Sequence, residues 1–308
     1  MRVFVTGASG FIGSAVVREL LGAGHSVVGL ARSDRSEAAL TAADVEVHRG
    51  DIDDPDSLHE GAAGADGVIH LAFDNTFSTA TIYEASVAAD LRAVEAMGVA
   101  LEGSGKPFVV ASGTLALAFT PGLGTEGDPS DPALPRVASE RAAIALAPRG
   151  VRSSIVRLAP CVHDETRAGL ATTLIGIASE KGVSGFIGDG ANRWPGVHRL
   201  DAAKLFRLAL EAAPAGSRLH AVGDEGVPMH EIAGAIGRGL GLPVVSVTAE
   251  EADDHFGFFS LVVPLDNPTS SAFTQQTLGW RPTRSGLIVD LEGPGHYGSR
   301  VGLYAGDS

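Results

Sequence analysis

The stretch Val3-Phe4-Val5-Thr6-Gly7-Ala8-Ser9-Gly10-Phe11-Ile12-Gly13 decides how this chain is read. A short apolar run leads into three evenly spaced glycines, and a helical stretch from Ser14 to Leu21 follows. Strand, glycine turn and helix in that order bring backbone N–H groups and the positive end of a helix to one place, which suits a pyrophosphate. One glycine permits the tight turn, one lets the backbone approach the phosphates, and the last lets helix and strand pack closely. Gly7, Gly10, Phe11, Ile12 and Gly13 are therefore expected around the pyrophosphate of a dinucleotide.

Working outward, Arg2 to Val5, Ser26 to Leu30, Val45 to His48, Gly67 to Leu71 and Pro107 to Ala111 are short runs of mainly apolar residues separated by stretches of helical period. Strands apolar throughout, rather than alternating, predict a parallel sheet covered on both faces. Right-handed crossovers then give an α/β, doubly wound Rossmann fold. The rhythm continues through a helix at Pro135 to Ala147 and a strand at Val151 to Leu158, and then turns irregular and glycine-rich from Gly182 to Gly196. A helix is expected over Asp201 to Ala212, a strand over Arg218 to Val222 and a further helix over Pro228 to Leu240. The division expected is a dinucleotide-binding domain at 1–163, to whose sheet 193–224 returns, and a smaller C-terminal substrate lobe that takes most of 164–308.

Composition narrows the function. The 308 residues are 44% hydrophobic and 19% charged, as in a globular enzyme, and their net charge of −14 repels a nucleic-acid backbone. The opening apolar run is far too short for a signal core and no later run approaches a membrane span, so the cytoplasm is the expected compartment and a membrane is not an expected partner. The lone Cys161 and the scattered histidines offer neither an internal disulfide nor a metal cluster.

The second strand ends in Gly29-Leu30-Ala31-Arg32-Ser33. An acid there would bind the ribose 2′-hydroxyl, whereas an arginine pairs with a 2′-phosphate, so Arg32 and Ser33 favour NADP(H) over NAD(H). The alternative for Arg32 is a solvated surface side chain. Asp51 and Ile52 after the third strand, and Leu71 and Ala72 after the fourth, are placed to meet adenine and ribose; Asp51 stands equally well to cap the next helix.

With Thr6-Gly7-x-x-Gly10-x-x-Gly13, Gly50-Asp51-Ile52 and Val68-Ile69-His70-Leu71-Ala72, the chain resembles the extended short-chain dehydrogenase/reductase superfamily, in particular its NAD-dependent epimerase/dehydratase-like members. The resemblance covers most of the chain. It implies a C-terminal substrate lobe, a homodimer built on long helices, here from about Thr79 to Leu101, and a tyrosine proton donor with a lysine four residues later. Pro135-Arg136-Val137-Ala138-Ser139-Glu140-Arg141 looks like the matching helix, but Arg136 stands for the tyrosine and Glu140 for the lysine. The only tyrosines are Tyr83, Tyr297 and Tyr304, and the only lysines Lys106, Lys181 and Lys204, so no realignment restores the pair. In this the chain resembles the atypical subgroup of the superfamily.

The resemblance also places a serine or threonine after the fifth strand. Gly113 holds that position in Ala111-Ser112-Gly113-Thr114, which leaves Ser112 and Thr114 as catalytic candidates and Ala111 as a cofactor contact. Leu158-Ala159-Pro160-Cys161-Val162-His163 looks like the loop against the nicotinamide, with Pro160 and Val162 touching the cofactor and His163 in place of the loop's tyrosine. His163 is either a general acid or a hydrogen-bonded structural group. Arg136, Arg193 and Trp194 are candidates for substrate contact, Trp194 with the alternative of a core residue; His255-Phe256-Gly257-Phe258-Phe259 is either a flap or a buried edge.

Together these readings predict an NADPH-dependent reductase of a small, fairly apolar carbonyl compound, imine or activated alkene. The alternatives are an NADP(H)-sensing regulatory protein without turnover and a redox-neutral epimerase or lyase. Arg136 and Glu140 are not expected to act as acid and base, because a guanidinium stays protonated and donates its proton poorly.

Overall fold

A computed structural model of the chain describes residues 1–73 and 80–297. Its first half alternates β1 (Arg2–Thr6), α1 (Phe11–Gly22), β2 (Ser26–Ala31), α2 (Asp34–Ala42), β3 (Glu46–Arg49), α3 (Pro55–Ala63), β4 (Gly67–His70), α4 (Ala80–Leu101), β5 (Pro107–Gly113), α5 (Val137–Ile144) and β6 (Arg152–Leu158). Successive side chains of β1 leave opposite faces of the sheet. Val3 and Val5 enter one core with Val16, Leu20 and Phe206, while Phe4 enters the other with Leu58 and Met97. Two apolar faces need two covering layers, and α1 with α7 (Arg199–Ala212) supplies one while α3, α4 and α5 supply the other.

The central sheet has seven strands in the order β3-β2-β1-β4-β5-β6-β10, with β10 spanning Ser217–Ala221, and all its pairings are parallel. Strand order reverses between β1 and β4, so the crevice at their carboxyl ends is the ligand position of this Rossmann fold.

The rest of the chain adds β7 (Cys161–His163), α6 (Leu170–Lys181), β8 (Ser184–Ile187), β9 (Arg193–His198), β11 (Asp224–Pro228), α8 (Met229–Leu240), β12 (Val244–Val247), α9 (Ala252–Phe256), α10 (Ala272–Leu278) and α11 (Leu287–Leu291). Of the segment expected to return to the main sheet, β10 pairs with β6, but β9 sits instead between β11 and β7 in a separate three-stranded sheet. Pro195 in β9 has no N–H to donate, and the register of β11 shifts between Asp224 and Val227, opposite it. The stretch 182–196 is likewise not irregular: it holds β8, which pairs with β12, and the start of β9, with Gly188 and Gly190 between them.

Phe256 and Phe259 are buried in the core of this second part, so the His255 to Phe259 segment is a packed edge and not a flap. The predicted helix at 135–147 is confined to α5, and β4 ends one residue before Leu71. Thr79, the expected start of the long helix, and Tyr304 lie outside the described residues. No helix among the described residues is long and apolar enough to cross a membrane.

Candidate active site

The glycine turn is sterically obligatory. Gly7 has φ of 68°, a left-handed conformation that a side chain resists, and a Cβ there would stand 2.8 Å from the Ala72 nitrogen. A Cβ on Gly13 would fall 1.9 Å from the Gly7 carbonyl oxygen. Gly10 precedes α1 without a side-chain cap, and the first turn carries no acid, so the first N–H groups of α1 remain for an anion. Leu71 and Ala72 donate their N–H groups to Thr6 Oγ1, both at 3.2 Å, which ties the ends of β1 and β4 across the crevice. This cradle fits a dinucleotide pyrophosphate.

At the carboxyl end of β2, Arg32 is exposed. The Ser33 hydroxyl is engaged in a capping box with Ser36 at the start of α2. The acids that follow, Asp34 and Glu37, each pair with Arg49 at 3.1 Å. Asp51 does not cap α3: its carboxylate accepts from the Asp53 N–H, and Asp54 caps by accepting from Ser57. Ile52 packs half-buried against the sheet core. The Phe11 ring lies under the Arg199 guanidinium at 4.6 Å, and Arg199 in turn pairs with Asp164 at 3.0 Å.

Under the crevice runs a buried chain that sequence reasoning missed. Thr6 Oγ1 already accepts two N–H groups, so its proton goes to His70 Nδ1 at 2.7 Å, and His70 Nε2–H donates to Asp90 Oδ1 at 3.2 Å. Burial pushes the Asp90 carboxyl up, but the hydrogen bond from His70 and the Arg136 guanidinium prevail and hold it below the usual carboxylate range.

At the end of β5 the predicted catalytic hydroxyls are committed elsewhere. Thr114 is fully buried; its hydroxyl donates to Asn267 Oδ1 at 2.8 Å, and Asn267 Nδ2 donates back to the Thr114 carbonyl at 2.9 Å. Ser112 donates to Glu140 Oε2 at 3.2 Å. Glu140, in the lysine position, is bound by Arg157 through Nε at 3.1 Å and Nη2 at 2.6 Å, by Ser130 at 2.8 Å and by Arg218 at 3.2 Å. Burial alone would raise its carboxyl, yet Arg157 and these other donors keep it below the ordinary range and charged. Arg136, in the tyrosine position, lays its guanidinium 3.7 Å over the Phe73 ring, with Nη2 3.5 Å from the Ala111 carbonyl. Tyr83 meets the same ring edge-on at 6.3 Å, and burial outweighs Arg136 in keeping its phenol above the ordinary value.

The remaining candidates are held by partners of their own. His163 is fully buried, and its Nδ1 bonds Asp290 at 2.6 Å. With His198, Asp201, Asp224 and Ser285 it lines a cavity of about 100 Å³. Burial holds the imidazole below its ordinary value against the opposing pull of Asp290. Fully buried and bonded to Asp290, His163 fits the structural alternative, and the general-acid reading is corrected. Trp194 is fully buried too, its Nε1 donating to the Leu265 carbonyl at 3.2 Å and its ring meeting Phe259; it is core, not a substrate wall. Arg193 is held by Asp266 at 3.1 and 2.8 Å. Pro160 precedes β7 and accepts the Leu170 N–H, while Val162 is the middle residue of β7 and is buried in the core. Arg157 was the most accessible missed signal: it is a lone charge in the apolar run Ile155-Val156-Arg157-Leu158.

Comparison with known proteins agrees with this geometry. Residues 3–222 match the NAD dependent epimerase/dehydratase family. An uncharacterized protein of Schizosaccharomyces pombe is 49% identical over 298 residues, 96% of this chain and 100% of that protein. Another from Saccharomyces cerevisiae is 42% identical over 294 residues, 94% of this chain and 98% of that one. Among solved structures, a double mutant of DesIV, the dTDP-glucose 4,6-dehydratase of Streptomyces venezuelae, with NAD and DAU bound, superposes with a TM-score of 0.74 at 24% identity, covering 94% of this chain and 96% of that one.

Proposed function

Because the chain belongs to the NAD-dependent epimerase/dehydratase family, we infer that it is an NADPH-dependent oxidoreductase that reduces a small carbonyl compound, imine or activated alkene. The observation that carries this reading is the pairing of an intact phosphate cradle with a guanidinium where the family's tyrosine would stand. Epimerisation through a nicotinamide begins by oxidising an alcohol, which needs a base for the hydroxyl proton. A guanidinium is a poor candidate for that base, whereas reduction asks only for a proton.

When bound, a nicotinamide dinucleotide would provide the hydride. The residues of the chain hold the partners in place. The N-terminus of α1 takes the pyrophosphate, and the Thr6, His70 and Asp90 chain stiffens the ends of β1 and β4 beneath it. Ser112 and Thr114 have their protons on Glu140 and Asn267, so the proton that completes the product comes from solvent. Support for NADPH comes from Arg32 together with Arg49, which pairs with both nearby acids and so lessens their repulsion of a 2′-phosphate.

The test is calorimetry with both cofactors, followed by NADPH consumption at 340 nm with a panel of carbonyl compounds and imines. NADPH is expected to bind roughly tenfold tighter than NADH, and Arg32→Ala to remove most of that margin. Tighter binding of NADH, or no consumption across the panel, would overturn the reading.

A further inference from the structure

The arginines around the crevice divide into two kinds. Arg193 is held by Asp266 and Arg199 by Asp164, while Arg157 and Arg218 share the carboxylate of Glu140, so each has a bonded acid within the fold. Arg136 has no carboxylate partner among the described residues. Its contacts are the face of Phe73 and one long hydrogen bond, at 3.5 Å, to the Ala111 carbonyl. The nearby acid, Asp90, gives one oxygen to His70, and the other has no hydrogen-bond partner, so no hydrogen bond joins it to the guanidinium. Nor is any Arg136 nitrogen among the sealed polar atoms that lack a partner. A half-buried cation is thus held over a ring with one hydrogen bond to it among the described residues.

The location narrows what those groups take. Phe73 follows β4 and Ala111 lies near the end of β5, so the charge stands over the carboxyl ends of these two strands. The phosphate cradle belongs to β1 and α1 and the exposed Arg32 to β2, on the other side of the switch point. Resting on the reductase reading above, we propose that Arg136 anchors a carboxylate of the substrate, and that the compound reduced is a short 2- or 3-oxo acid rather than the fairly apolar compound expected from sequence. A guanidinium presents its donors as a planar fork that matches two carboxylate oxygens. In a chain of net charge −14, a local cation to which no carboxylate among the described residues is bonded favours the approach of an anion. The carbonyl sits within one or two carbons of the anchored group because the anchor occupies the place where the family's tyrosine would meet the reacting oxygen.

The experiment compares 2-oxobutanoate and 3-oxobutanoate with their methyl esters, following NADPH at 340 nm. The acids are expected to exceed the esters in kcat/KM by about 10- to 100-fold. Arg136→Met, which keeps an apolar chain on Phe73, brings the ratio near one; Arg136→Lys, which keeps the charge without the fork, recovers part of it. A second readout is calorimetry of oxalate and its neutral analogue oxamide on the protein loaded with NADP+. Oxalate binds and oxamide does not, and Arg136→Met abolishes the difference while the Kd for NADPH stays within about twofold. Equal kcat/KM for acid and ester in the wild type overturns the proposal. So does an Arg136→Met protein that loses NADPH affinity but keeps its preference for acids, which would make Arg136 a cofactor residue. Absence of turnover with every carbonyl compound would defeat the reductase reading, and the oxalate measurement would then decide the anchor independently.

Discussion

Replacing Glu140 with glutamine tests whether the buried charge at the lysine position now serves the fold. Oε1 accepts from Ser130, Arg157 Nη2 and Arg218, while Oε2 accepts from Ser112 and Arg157 Nε. Whichever oxygen becomes the amide nitrogen, at least one Arg157 N–H then faces another donor, and the Arg157 guanidinium, fully buried, loses its counter-charge. Breaking a buried pair in this way costs about 3–5 kcal/mol. With an unfolding entropy of about 2.1 cal/mol/K per residue, such a loss lowers the Tm of a 308-residue chain by about 5–8 °C.

Calorimetric melting at pH 7 and through the acid range is the assay. Arg157 and its neighbours depress the Glu140 carboxyl in the folded state, so the pair's contribution is complete above the ordinary carboxylate range and is lost as pH falls through the depressed value. The gap between wild type and Glu140→Gln should therefore be widest at neutral pH and shrink on acidification. A Tm change below about 1 °C at pH 7, or a gap that grows as the pH falls, would refute the assignment.

Two further outcomes follow from the crevice itself. Gly13→Ala puts a Cβ 1.9 Å from the Gly7 carbonyl oxygen, so the phosphate turn must open and NADPH affinity should fall at least about tenfold by calorimetry; an unchanged Kd would show that the turn does not hold the cofactor. Thr114→Val leaves Asn267 Oδ1 without its buried donor and should cost about 1–3 kcal/mol of stability while kcat on the first substrate found moves by less than about tenfold; a large loss of kcat with an unchanged Tm would return Thr114 to the chemistry.

The fold was legible because its signals are local and repeated. Val3, Phe4 and Val5 are all apolar because β1 is buried on both faces, and the glycines after them are fixed by backbone collisions within a few residues or with the adjoining Ala72. The second part of the chain offered no such repetition. Its strands β7, β8 and β12 have only three or four residues, and β9 carries Pro195 and Gly196, which composition assigns to a turn. What makes β9 a strand is tertiary: Trp194 is enclosed by the lobe core, and both β7 and β11 supply partners from elsewhere in the chain.

The site divided along the same line. Its glycine turn was readable, since the spacing of Gly7, Gly10 and Gly13 reflects backbone contacts within a few residues. Its catalytic half was not, since each hydroxyl or imidazole nominated there has its role set by a residue remote in the chain: Thr114 by Asn267, Ser112 by Glu140 and His163 by Asp290. Glu140 shows why this matters for the chemistry. A lysine in its place would aim a third cation at Arg157 and Arg218, both of which already converge on that point. The departure from the tyrosine and lysine pair is therefore not two independent losses that two substitutions would reverse. Arg157 in β6 and Arg218 in β10 have been built around an acid in α5, and the guanidinium of Arg136 stands one helical turn before that acid with no carboxylate partner among the described residues.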